Sequence, residues 1–473
     1  MLKRLISHVL FARQGSQGTD RRVMARWWLM ALIASLAGLS ATQAWALPAF
    51  ARQTGQSCVA CHAGGQFPEL TPYGRMFKLT GYTYGEHANP VSAMGIVDWT
   101  GNNNNSDGMG GQLTDLDRRF LLDFGSVFLA GKITDNIGGF GQWTYTVHDR
   151  QDNEGNWLGH FGSDNFDLRY ANQDSANDKG LIWGLTLHNN PTVQDVFNSS
   201  PAWGYPYIAP SGKASVAAPP ATMIEGGAAA GGLASSVAGT GVYALVDKSV
   251  YLEFTNYQTA KGPWSFLSIG NSTGDPNYPL TYVQSWNPYV RVAYTHEWGP
   301  QNITVGAFGM QANILPLDGN NYPIYGQGAT HYSDTGVDAQ YQYLLSPHTV
   351  TGQFRWVHEA VNDDTQNFFS APATLNSLKL KGTYVYQEKY GVSLAYTNVT
   401  GSADPTAYSA SANNSPNTTY WTPEVFWLPL RNLRVGLQFN LFTRYLGAKT
   451  NYDGNGRNAS DNNNAFLYLW LAI

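Results

Sequence analysis

The chain predicts an all-β fold: a transmembrane outer-membrane β-barrel of about 16 antiparallel strands, preceded by a short helical segment in or at its lumen. Three observations carry this. From Val91 onward apolar and polar residues alternate with period two: Arg434, Gly436, Gln438 and Asn440 interleave with Leu433, Val435, Leu437, Phe439 and Leu441. Asp338, Gln340 and Gln342 interleave likewise with Val337, Ala339, Tyr341 and Tyr343. A soluble sandwich also alternates, so the second observation decides: connections run long, short, long, short, the pattern of extracellular loops and periplasmic turns. The third is composition, with aromatics at 14%, 50 Gly and charged residues at 13%, about half the usual globular share. A mean hydropathy of −0.29 is too polar for a bundle of membrane helices.

The first element is a targeting segment. Trp27 to Ala41 is apolar, follows Arg21, Arg22 and Arg26, and precedes Ala44-Trp45-Ala46, so residues 1–46 read as a signal peptide cleaved before Leu47. The run is shorter than the roughly 20 residues a bilayer-spanning helix needs. Met24 is an alternative start. Cleavage removes six of the 28 Lys/Arg and one of the 33 Asp/Glu, which leaves 22 against 32 and a net charge of about −10. That sign disfavours nucleic acid and attracts cations.

Residues 47–90 carry the chemistry. Cys58-Val59-Ala60-Cys61-His62 has the C-x-x-C-H spacing of covalent haem c attachment: two thiols on one turn reach the two vinyl groups, and His62 falls under the iron. A zinc site or a redox dithiol are the competing readings, but Cys58 and Cys61 are the only two cysteines, so a four-thiolate zinc site has no further ligands. One haem c is expected. Downstream, Thr71-Pro72 opens and Gly81 closes a short helix. Tyr73, Met76 and Phe77 share a face for the haem or the barrel wall, while Arg75 and Lys78 point elsewhere, to meet haem propionates or to be solvated. A segment this short buries too little surface to enclose a haem alone, so the barrel lumen must lend its walls.

The wider stretch, Ala46-Leu47-Pro48-Ala49-Phe50-Ala51-Arg52-Gln53-Thr54-Gly55, then the haem motif, Pro68, Leu70-Thr71-Pro72-Tyr73-Gly74-Arg75, Phe77-Lys78-Leu79 and Gly81-Tyr82-Thr83, resembles the signature of the fused monohaem cytochrome c/outer-membrane porin family of iron-oxidising bacteria. The signature covers under a tenth of the chain. The resemblance implies one haem c segment joined to an outer-membrane barrel, haem attachment outside the cytoplasm, and oxidation of extracellular Fe(II).

Residues 91–473 form the barrel. Strands are expected near 91–100, 116–131, 136–149, 164–172, 181–189, 240–247, 249–256, 285–298, 301–313, 331–344, 348–360, 373–388, 390–400, 418–428, 432–444 and 464–473. The even number puts both termini on the periplasmic side. Connections after odd strands are long, such as Gly101 to Asp115 and Asn189 to Gly239. Those after even strands are short: Thr134-Asp135-Asn136, Gly299-Pro300, Ser346-Pro347, Arg431-Asn432. Trp286, Trp298, Tyr420, Trp421 and Trp427 near strand ends suit interfacial girdles in outer-membrane lipid. The chain ends on Ile473, with Phe466, Tyr468 and Trp470 on the other parity.

Parity also selects the distal haem ligand. Ser92, Met94, Ile96 and Asp98 share the lumen face of the first strand, where a thioether has little packing reason to be, so Met94 is the first choice, then Met76, then His87, His148 and His188. Asp107, Asp115, Asp152 and Glu154 are candidate Fe(II) docking groups by location and sign, against the simpler reading of a solvated surface. No nucleophile-base pair, phosphate loop or second haem motif is present. The expected function is Fe(II) oxidation, with the electron passing through the haem to a periplasmic c-type cytochrome or other carrier. The alternatives are a diffusion porin with a structural or sensory haem, and an electron conduit for another extracellular donor.

Overall fold

Sixteen strands close into one antiparallel ring in the computed structural model, which describes residues 48–65, 68–107, 110–172, 180–199, 213–215, 218–227, 232–269 and 280–473. The proposed signal peptide, 1–46, lies outside the described residues. Three short helices come first: α1 (Pro48–Thr54), α2 (Cys58–Cys61) and α3 (Pro72–Leu79). The strands are β1 (Val91–Asn102), β2 (Phe120–Lys132), β3 (Ile137–Gln151), β4 (Trp157–Asn172), β5 (Ile182–His188), β6 (Val237–Val246), β7 (Val250–Thr259) and β8 (Pro288–Trp298). They continue as β9 (Gln301–Ile314), β10 (Thr330–Leu345), β11 (His348–Asp363), β12 (Ala373–Tyr386), β13 (Tyr390–Gly401), β14 (Thr418–Leu430), β15 (Leu433–Arg444) and β16 (Asn464–Ala472).

Every strand pairs with its sequence neighbours, and β1 pairs with β16 to close the ring, with Met94 opposite Ala472 and Asp98 opposite Tyr468. Closure leaves no sheet edge, which is the condition for β-structure in a bilayer. Alternation assigns the faces as expected. Val97, Leu122, Leu129, Val292, Val337 and Leu394 point outward and are exposed, whereas Asp98, Gln342, Arg434, Gln438 and Asn440 are buried in the lumen. An apolar outer band over a polar interior is the membrane-spanning barrel of outer-membrane type. Trp286 and Trp421 at the long-loop end, and Trp298 and Trp427 at the short-turn end, are exposed on its outside. Tyr420 departs from the expected girdle: it is buried inside, against Phe442 and in one cluster with Tyr445 and Tyr452.

Two expected connections differ. Residues 152–156, read as part of a long loop, form a tight turn, because β3 and β4 run on past the anticipated ends and Asp152 folds the chain back by accepting from Glu154 N (3.0 Å) and Asn156 N (2.7 Å). The larger departure is the connection 189–236, expected outside the cell. Its described parts fold into the lumen: Val196 and Phe197 pack on Leu79, Tyr243 and Tyr251, and Met223 and Ile224 join Tyr257, Tyr289 and Phe308. Charge fixes it as well. Asp195 meets Arg291 (3.8 Å), Glu225 meets Arg355 and Lys379, and Lys213 meets Asp98 and Asp123.

The N-terminal helices plug the short-turn end of the ring. Arg52 donates to Val91 O (2.5 Å), Gln53 accepts from Lys132 N (2.9 Å), Gln342 donates to Leu70 O (3.2 Å) and Tyr243 donates to Leu79 O (2.8 Å), so the plug is tied to walls on opposite sides. Phe50, Phe77 and Tyr82 form its small core, with Phe50 stacked on Tyr82 at 5.2 Å.

Candidate functional site

The haem-motif turn is held by its own neighbours in sequence. His62 N donates to Cys58 O (2.9 Å), Thr71 N to Cys61 O (2.9 Å) and Ala63 N to Glu69 O (2.9 Å), so the chain after His62 returns antiparallel to the turn. Thr71 then caps α3, its hydroxyl accepting from Gly74 N (3.2 Å), with Pro72 in the first turn and Gly81 at φ +72° past the end, as the spacing predicts. Gly74 is obligatory here. A Cβ on it would lie 2.2 Å from Cys61 O, so only glycine lets the first turn of α3 rest on the Cys58–His62 turn.

Cys58 and Cys61 are not joined by a disulfide. Burial, and secondarily the neighbouring Cys58, pushes the Cys61 thiol up to about 11. A redox dithiol depends on a lowered thiol pKa, so this environment disfavours that reading.

Cys58, Cys61, His62 and Met94 line one cavity of about 240 Å³. The plug supplies Phe50, Leu70 and Phe77; strands β1, β2, β3 and β16 supply Met94, Phe128, Phe140 and Trp470. Met94 is 7% exposed, on the lumen face, in a cluster with Ile96, Phe128, Phe466, Tyr468 and Trp470. This patch is unlike the polar interior expected of a water-filled barrel. The chamber's aromatic lining, two thiols, imidazole and thioether are the types of side chain that a haem c would use.

The other ligand candidates lie elsewhere. Met76 packs on the cluster of Val196 and Phe197, and His87 is exposed in the linker to β1. His148 stands edge-on to Trp157 at 5.9 Å, and His188 is buried between Tyr257 (3.0 Å) and Thr186 (3.2 Å). None of the four lines the cavity.

The cations of α3 correct an expectation. Arg75 and Lys78 are not solvated but buried: Arg75 donates to Leu70 O (3.2 Å) and Asn302 Oδ1 (3.0 Å), and Lys78 bonds Val193 O and pairs with Asp167 at 3.7 Å. Lys78 borders the cavity and Arg75 does not. The shared face of Tyr73, Met76 and Phe77 is also divided, since Tyr73 is exposed while Phe77 faces the cavity. Among the acids, Asp107 accepts from Gly111 N (2.8 Å), Asp115 from Trp157 Nε1 (3.0 Å), and Asp152 caps its turn. They serve loop geometry. Among the described residues no three His, Cys, Asp or Glu side chains gather so as to hold a metal ion.

A second cavity, of about 310 Å³, adjoins the first at Pro68, Thr192 and Asn198. Its wall is polar: Arg355 and Lys379 oppose each other across β11 and β12, Lys381 pairs with Glu69 of the plug (3.0 Å), and Gln340 is buried beside them. The sequence hid these features because a lumen-facing residue is recognisable by parity, but its partner from a distant segment is not.

No protein-family model and no curated protein matches the chain. Solved structures resemble it. The OmpF–daunomycin complex of Salmonella typhi is 12% identical and covers 81% of this chain and 97% of its own, with a TM-score of 0.45. The anion-selective porin of Comamonas acidovorans is 12% identical over 81% and 99%, TM-score 0.43. The outer membrane channel DcaP of Acinetobacter baumannii is 10% identical over 81% and 96%, TM-score 0.42. The class of protein is set by the closed ladder itself: a membrane-spanning β-barrel whose lumen holds a plug and an inward-folded connection.

Proposed function

We propose that this protein is an outer-membrane c-type cytochrome, both termini periplasmic, that oxidises extracellular Fe(II) and passes the electron through one haem c to a periplasmic c-type cytochrome or other carrier. The carrying observation is the single cavity that gathers Cys58, Cys61 and His62 from the plug with Met94 from β1. The group, when bound, supplies a one-electron acceptor and donor. Cys58 and Cys61 would tether it, and His62 and Met94 would offer an imidazole and a thioether to its iron, a pair that raises the potential relative to two imidazoles. Phe128, Phe140 and Trp470 would keep water out of the cavity. Lys78 adds a buried positive charge at the cavity rim that favours the less positive, reduced state. Burial, partly offset by Asp167, pulls Lys78 down to about 8, so it is charged at neutral pH. Cys58 lies 3.6 Å from the carbonyl of Arg431 in a short turn, which suits transfer to a carrier on that side.

The test is anaerobic addition of Fe(II) to purified, oxidised protein. The Soret and α bands should move to those of reduced haem c. A covalent haem that dithionite reduces and Fe(II) does not would remove Fe(II) as donor; protein without haem would remove the reading. A second reading, a diffusion porin with a structural or sensory haem, is favoured by one feature, the polar cavity beside Arg355, Lys379 and Lys381.

A further inference from the structure

The lumen wall formed by β10, β11 and β12 carries groups that the haem cavity does not use. Register sets them in two adjacent rows on the inner face: Gln340, Gln353 and Lys381 stand opposite one another across the three strands, and Asp338, Arg355 and Lys379 form the next row. All six line the second cavity, of about 310 Å³, and Glu69 of the plug with Ser199 and Glu225 of the inward connection supply its other side. Its volume is that of a pocket for a small molecule.

Two observations show that this wall lacks a partner. Along β10, Asp338 is held by Arg291 (2.8 and 2.9 Å), while Gln342 accepts from Asn302 (3.1 Å) and donates to Leu70 O (3.2 Å). Gln340, between them on the same face and 4% exposed, has no partner at either amide atom. Buried polar groups are almost always bonded, so an amide idle at both ends calls for an acceptor and a donor from elsewhere. The second observation is the sharing of charge. Arg355 and Lys379 both pair with one oxygen, Glu225 Oε1, which also accepts from Ser377 Oγ (3.0 Å). The Lys379 ammonium is 3.0 Å from that oxygen, and its side chain is 36% accessible although it points into the lumen. An ammonium has three donors, so Lys379 keeps some to spare. Nearby carboxylates are engaged with other cations: Glu69 with Lys381 (3.0 Å), Asp338 and Asp195 with Arg291 (2.8 and 3.8 Å).

We propose that this pocket binds a hydroxylated monocarboxylate of sugar-acid size. Its carboxylate is the second anion for Arg355 and Lys379, received by the spare ammonium donors and by Gln340 Nε2, and a neighbouring hydroxyl donates to Gln340 Oε1. Gln353 and Thr397, which also line the pocket, serve the remaining hydroxyls. One negative charge matches two cations that share one carboxylate; a second would find Lys381 already neutralised by Glu69. The pocket needs no haem, so it stands apart from the proposed electron transfer.

Isothermal titration calorimetry of the full, haem-loaded protein in detergent with D-gluconate tests it. Wild type should show one saturable site. D-glucose, which lacks the charge, and hexanoate, which lacks the hydroxyls, should each bind at least about tenfold more weakly, the scale of a lost charge-assisted bond. Lys379→Met and Gln340→Leu should each weaken gluconate by a similar factor, with heat-modifiable mobility on gels verifying that they fold; the two control ligands test the pocket in wild type should a variant not fold. No saturable binding, equal affinity for glucose or hexanoate, or undiminished affinity in either folded variant would overturn the proposal. Binding by the haem-free Cys58→Ser, Cys61→Ser protein alone would overturn it as well, and would give the site to a haem propionate. None of these readings involves Fe(II), so the pocket and the proposed function fail separately.

Discussion

Two walls of the same lumen differ in kind. On β1, β2 and β16 the lumen face carries an apolar cluster of Met94, Phe128, Phe466, Tyr468 and Trp470, with Ser92 and Ser126 the polar positions beside Met94; on β10, β11 and β12 it carries Gln340, Arg355, Lys379 and Lys381. Both follow the same period-two rule, and only the second obeys the usual chemistry of a barrel interior. Water in contact with the first wall is unfavourable by roughly 25 cal/mol per Å² of apolar surface, so that wall calls for an apolar occupant. The haem motif sits against it. The contrast teaches that a lumen face can be read as a binding surface wherever its composition departs from that of a channel.

The largest expected effect lies in the apolar wall's occupant. Cys58→Ser with Cys61→Ser should abolish covalent haem, read as loss of haem peroxidase stain on a denaturing gel, while the barrel keeps its heat-modifiable band. Next comes Met94. Met94→His should keep the haem six-coordinate and lower its midpoint potential by a sizeable part of the roughly 0.8 V span that axial ligands command. Met94→Ala should admit imidazole, seen as a spectral titration. An unaltered spectrum and potential in Met94→Ala would place the ligand elsewhere, with Met76 and then His87 next to test.

The comparison sharpens with pH. Lys78 sits at about 8, with desolvation as the first cause, so it is charged below that value and neutral above. The midpoint potential should therefore fall as pH rises through about 8, and Lys78→Met should start lower and lose that step. Lys379→Ala on the opposite wall should leave the potential unchanged. The smallest effect expected is on stability: Glu69→Gln weakens the 3.0 Å bridge to Lys381 that ties the plug to the polar wall, at a cost of about 1–2 kcal/mol. A lowered transition in heat-modifiability would register it.

The strands were legible because parity and loop length are local properties of the chain. All 16 lie where alternation puts them, and Gln438 and Met94 face inward as their neighbours require. Tyr420 was not legible, since an aromatic at a strand end satisfies a girdle and an inner cluster equally well. The inward course of the described parts of 189–236 was not legible because Gly, Ala and Pro suggest an outer loop, while the few residues that draw them inward, Asp195, Lys213 and Glu225, pair with Arg291, Asp98 and Arg355 on strands far off in sequence. The same holds for Arg75 and Lys78, which read as propionate partners or solvent cations until Asn302 and Asp167 are seen beside them. In the candidate site, the motif and Met94 were readable from spacing and parity; Phe128, Phe140 and Trp470 were not, because ring closure alone brings β16 beside β2 and β3 across β1.

The most direct test is electron transfer across a sealed bilayer. Haem-loaded protein is reconstituted in liposomes enclosing a soluble, oxidised c-type cytochrome, and Fe(II) is added outside under anaerobic conditions. The account predicts reduction of the enclosed cytochrome, absent with Cys58→Ser and Cys61→Ser, while an entrapped small ion stays inside. An enclosed cytochrome that remains oxidised while the ion leaks out freely would contradict it and identify the barrel as a diffusion pore.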